Sequence, residues 1–137
     1  MSFNRQQWVL FLGTLGLVPF IALPILSKFS PQFSYFSTLV FAYYSACILC
    51  FLAGTLWHEA STGFVVVSNV LTLWAVSCLV LYNFNSAMAL LLLALGFLVM
   101  LLLDMNRALP AWYIRFRRSL TIVVIAMHIV SSYGVIL

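Results

Sequence analysis

Few side chains in this 137-residue protein can do chemistry, and most of those stand close together. The run from Asp104 to Leu120 holds four of the six cationic residues and one of the two acids. Arginine forks match phosphate and carboxylate, so Arg107, Arg115 and Arg118 are candidates for an anion or lipid-headgroup site. Trp112 and Phe116 lie four apart, as do Tyr113 and Arg117, and such spacings place each pair on one helix face. Upstream, His58 and Glu59 close another apolar run. If both places face one compartment, His58, Glu59, Asp104, Arg107, Trp112, Tyr113, Arg115 and Arg118 frame one ligand-binding pocket. Pairing of Glu59 with Arg115 or Arg118 would instead lock two loops together.

A second group lies within apolar sequence. His128 sits deep in the last apolar run, where an ionisable residue is a functional candidate by default. Thr121, Ile125, His128 and Ser132 share a helix face, and Asn69 and Thr72 in an earlier run are placed to meet it. A neutral, hydrogen-bonded histidine fits this pattern, and so does a proton or ligand relay. Cys78 and His128 together remain two ligands short of a closed zinc site, so neither metal nor cofactor is expected. Cys47 and Cys50 spell C-x-x-C, but inside an apolar run where a thiolate is disfavoured. These two and Cys78 read as small packing residues. Nothing resembles a nucleophile–base pair, a phosphate loop or paired carboxylates, so catalysis is not expected. An interfacial acid–base pair of His58 and Glu59 is the alternative.

The elements that must position these groups are helices in lipid. The chain is 66% hydrophobic and 6% charged, whereas soluble domains are about 25% charged. A small domain keeps too much surface to hide that much apolar area from water. An all-α polytopic bundle in one domain, 1–137, follows. Its five spans are expected at about 8–26, 38–57, 63–82, 87–103 and 120–137, with an interfacial segment at 104–119. Residues 1–7 read as a polar leader, 27–37 as a polar and aromatic loop, 58–62 as a tight turn and 83–86 as a hairpin turn. Pro19 and Pro24 should kink the first span, and Gly13 and Gly16 should let another helix approach it. Ala42, Ala46, Cys50 and Gly54 form a small-residue stripe on the second. The leucine-rich fourth span is expected to be the most lipid-exposed.

Charge sets the orientation. Arg5, Arg107, Arg115, Arg117 and Arg118 fall on one side of this layout and Lys28 on the other. By the positive-inside rule the N-terminus is cytoplasmic and the C-terminus external. The basic residues flank spans and form no separate basic module, so no nucleic-acid partner is expected.

Two patches resemble a small family of membrane proteins catalogued as a domain of unknown function, among them the mitochondrial transmembrane protein numbered sixty-nine. One patch runs from Tyr44 through the small-residue stripe and Gly54 to Trp57 and His58, the last two in reverse order to the family pattern. The other is Pro110, Trp112, Tyr113, Arg115, Arg118, Leu120 and Thr121. The resemblance covers nearly the whole chain and fits five spans. It implies a bacterial inner membrane, or the mitochondrial inner membrane in a eukaryote, and implies no activity.

Three functions are compatible with these residues. The leading expectation is an accessory or assembly subunit acting through helix–helix contacts with a membrane-protein partner or a second copy of itself. An oligomeric small transporter or channel would use His128. A lipid- or anion-binding protein of the membrane interface would use the arginine-bearing segment, with membrane lipid as its partner.

Overall fold

In the computed structural model, residues 4–59 and 61–136 are described, and every regular element among them is helical. Met1–Phe3 of the expected leader, Ala60 of the expected turn and Leu137 of the last span lie outside the described residues.

Helix α1 covers Arg5–Leu15 and α2 covers Leu17–Phe29. Asn4 starts α1 with a capping box: its Oδ1 accepts from the Gln7 amide at 2.8 Å, and its own amide donates to Gln7 Oε1 at 2.9 Å. The helix therefore begins within the expected polar leader. The interruption at Gly16 lies three residues before Pro19, which has no amide to donate and crowds the carbonyl four residues back. Beside this break the Gly16 carbonyl accepts from the Tyr44 hydroxyl at 2.9 Å. Gly13 meets the expectation of close approach, since a Cβ there would come within 2.7 Å of the Phe116 ring.

The expected loop at 27–37 is a correction. Only Ser30 separates α2 from α3, which covers Pro31–Gly54. Pro31 holds its predecessor in extended backbone and itself suits a first helical position, so a sequence that looks loop-like makes a tight corner. A 3-10 turn, Thr55–His58, prolongs α3. Helix α4 covers Thr62–Tyr82 and α5 covers Ser86–Met105, the latter capped by Asn85, whose side chain accepts from the Met88 amide. The short turn between them makes the expected antiparallel hairpin. Helix α6 covers Ala111–Ile136.

Among the described residues, four helical segments are long and apolar enough to cross a membrane: Arg5–Phe29, Pro31–His58, Thr62–Tyr82 and Ser86–Met105. The protein is thus an all-α membrane protein. Helix α6, at 26 residues, has the length of a span, and its first turns carry Arg115, Arg117 and Arg118.

The core is centred on α5, which packs against α3, α4 and α6. This corrects the expectation for the leucine-rich helix. Ala89, Ala94 and Gly96 on α5 are buried, and a Cβ at Gly96 would fall 2.6 Å from Leu49 Cδ2 of α3. A helix apolar all round reads the same whether lipid or protein surrounds it; here protein covers one face, while Leu91, Leu95, Leu98 and Leu102 stay exposed on the other. The outermost rod is α1–α2, and α1 buries none of its residues. On α3 the buried seam runs through Phe41, Ala42, Ser45, Ala46, Leu49, Leu52 and Ala53. Gly54 faces open space, so the small-residue stripe holds only at its first members. Cys78 packs in the core, Cys50 is half-buried, and Cys47 faces outward.

Candidate functional site

Asp104, the penultimate residue of α5, is 1% exposed and organises the polar end of the bundle. Its Oδ1 accepts from Arg107 Nη1 at 2.8 Å and its Oδ2 from Arg117 Nε at 3.0 Å. Arg107 also donates from Nε to Glu59 Oε1 at 2.6 Å. Its two terminal nitrogens reach the Thr55 hydroxyl and carbonyl, each at 3.3 Å. One arginine thus ties the end of α3 to the end of α5, where helix carbonyls carry partial negative charge. Arg117 ties α5 to α6. Burial opposes charge on Arg107, but its hydrogen bonds and attractions to Glu59 and Asp104 outweigh that and hold its guanidinium above the usual arginine range.

This network brings together Glu59, Asp104 and Arg107 of the residues singled out in the sequence. His58, Arg115 and Arg118 are exposed and stand outside it. The expected locking pair of Glu59 with Arg115 or Arg118 is replaced by Glu59 with Arg107. The member that sequence reasoning passed over is Arg117, which is 7% exposed and salt-bridged to Asp104. The signal was present: stepping one turn back from Thr121 along the Thr121–His128 face lands on Arg117. Its Nη2 is buried and without a hydrogen-bond partner among the described residues.

Arg117 lines a groove of about 930 Å³ between α1–α2 and α6, completed by α3 and Phe97 of α5. One end carries Arg5, Gln6, Thr55, Arg107, Tyr113 and Arg117; Trp112 is also in the lining. Away from that end the walls are largely apolar, with Leu12, Leu17, Phe20, Ile48, Phe97 and Val124 among them.

His128 does not reach this groove. Its ring is fully buried among Phe20, Phe41 and Phe97, with centroids at 6.0, 4.7 and 5.6 Å. Nδ1 lies 2.8 Å from the Val124 carbonyl, which can only accept, so Nδ1 carries the proton. Nε2 has no partner among the described residues. The expected inward polar stripe is present, with Thr121, His128 and Ser132 all buried. The expected meeting with Asn69 and Thr72 is not. Asn69 is exposed and donates to the Val65 carbonyl, while Thr72 donates to that of Ser68. The reason is topological: α4 packs on α3 and α5, not on α6. Among the described residues no group of His, Cys, Asp and Glu could hold a metal ion.

Comparison with known proteins agrees with the resemblance read from the sequence. The chain belongs to the family described as "Protein of unknown function (DUF3429)", whose model matches residues 5–133. No curated protein and no solved structure matches it, so the mitochondrial likeness has no counterpart there.

Proposed function

We propose that this member of the family recognises an anionic group at its arginine-bearing end, as a lipid- or anion-binding protein of the membrane interface. The observation that carries the reading is Arg117: a guanidinium buried beside a groove, with one carboxylate partner and a terminal nitrogen that has no hydrogen-bond partner among the described residues. An unmet buried donor is costly, and an anion's oxygen would relieve that cost. Arg5, at the same end of the groove, forms none of the ion pairs among the described residues and adds a positive charge.

In this reading α6 is the fifth span. The N-terminus and the 106–110 loop face the cytoplasm, the C-terminus faces outward, and a bacterial inner membrane is the natural home. The phenylalanine enclosure of His128 argues against a transport route through it. It favours the accessory-subunit reading over the transporter as the second choice. Copurification of a stable membrane-protein partner from gentle detergent would support that second choice.

The test of the first is thermal unfolding in nanodiscs of neutral phosphatidylcholine with and without anionic phosphatidylglycerol. The anionic lipid should raise the wild-type melting temperature by mass action on the folded state. Arg5→Gln and Arg117→Gln should each lose at least half of that rise, and Arg118→Gln should keep it. An unchanged wild-type melting temperature would overturn the reading.

A further inference from the structure

The groove has a polar end and an apolar length, and one occupant has that same division. We propose that the ligand is an acyl-chain amphiphile drawn from the bilayer. Its phosphate or carboxylate head lies at Arg117 and Arg5, and one hydrocarbon chain lies along the groove between α1–α2 and α6. The inference rests on the anion-binding reading and adds the chemical class of the ligand.

Three observations carry it. The first is the buried, unpartnered Nη2 of Arg117, on a side chain that is 7% exposed and lines the groove. An ordinary annular lipid chain meets no such demand. The second is size. The volume of about 930 Å³ falls within the usual range for small-ligand sites, about 300–1,000 Å³. Along α6 the lining extends from Trp112 to Val124, roughly 18 Å at the helical rise, which suits an extended acyl chain and far exceeds a free phosphate. The third is the chemistry of the walls. Leu12, Leu17, Phe20, Ile48, Phe97 and Val124 offer contact to methylenes and nothing to a polar solute.

Helix α1 is the wall able to give way. It buries no residue, its run into α2 is interrupted at Gly16, and what crowds Gly13 is side chain, the end of the Phe116 ring and a Leu120 methyl. Entry is therefore from the side, out of the lipid, with the head sliding along the arginine-bearing surface. Asp104 is the counter-charge that keeps Arg117 in place, and it turns both oxygens to the two arginines. A head with one or two negative charges finds Arg117 and Arg5 without displacing that carboxylate.

The experiment measures binding of dodecyl phosphate, butyl phosphate and inorganic phosphate to the full chain in neutral nanodiscs, using the melting temperature and native mass spectrometry. Wild type should bind the twelve-carbon probe most tightly, with affinity rising roughly two- to fourfold per methylene. Plain partitioning into the disc would give every variant that chain-length dependence. Two groove-filling changes, Val9→Trp and Gly13→Leu, separate the cases. Each should flatten the chain-length dependence while leaving the weak response to inorganic phosphate intact. Val9→Trp guards against a Gly13→Leu chain that does not fold. Wild type and both folded variants sharing one chain-length dependence would overturn the amphiphile proposal and leave the anion reading standing, as would wild-type binding independent of chain length. No response of wild type to any of the three phosphates would overturn both.

Discussion

The two arginines joined to Asp104 differ from the three that face outward in what their loss should do. Asp104→Ala would leave Arg107 and Arg117 as buried charges lacking their shared carboxylate, and breaking such a pair costs about 3–5 kcal/mol. Thermal unfolding in a mild detergent should show that loss, while Arg118→Gln, at an exposed position, should stay within about 0.5 kcal/mol of wild type. Because pairing raises the affinity of Arg107 for its proton, its contribution is present throughout the working pH range and is lost only in strong alkali. Gly96→Leu should cost about 1–3 kcal/mol in the same assay, since even a Cβ collides with Leu49 in a filled core. At this scale the sequence showed that arginines and acids gather at one end. It did not show which arginine turns inward, because Arg115, Arg117 and Arg118 differ only in helical phase. That phase is readable only when the segment is counted together with the Thr121–His128 face.

Among the helices, α1 buries none of its residues. Its attachments include the Gly13–Phe116 contact and the chain passing through Gly16, whose carbonyl accepts from Tyr44. Tyr44→Phe removes that hydrogen bond and should cost about 1 kcal/mol. Hydrogen–deuterium exchange should speed up in residues 5–20 while the α4–α5 hairpin keeps its protection. The existence and approximate bounds of the apolar rods were legible from composition and length. Their neighbours were not. Leucine at nearly every position of α5 says that it is surrounded by something apolar, without saying whether by acyl chains or by α3, α4 and α6. The serines and aromatics around Pro31 looked like a loop, yet a proline suits a helix start and Ser30 alone supplies the corner.

The whole molecule is a membrane protein with an aromatic centre around His128 and a polar brace at one end. The brace gathers residues from α3, α5 and α6, so the ends of these three helices share one side. With α6 as the fifth span, an N-terminal tag should be reachable only from the cytoplasm and a C-terminal tag only from outside. Cysteine labelling or a paired-reporter fusion in intact cells measures this, and two tags on one side would refute the odd count. The positive-inside pattern carries that expectation from the sequence. The groove was beyond it, because a concavity between α1–α2 and α6 depends on packing between segments nearly a hundred residues apart.

Glu59 meets Arg107 across 48 intervening steps of chain. On a ribosome the acid emerges long before the base, and the two can join only after the α4–α5 hairpin has entered the bilayer. A polypeptide halted short of Arg107 would leave that carboxylate without its cationic partner, so the joint between the ends of α3 and α5 closes only once the chain is made past residue 107.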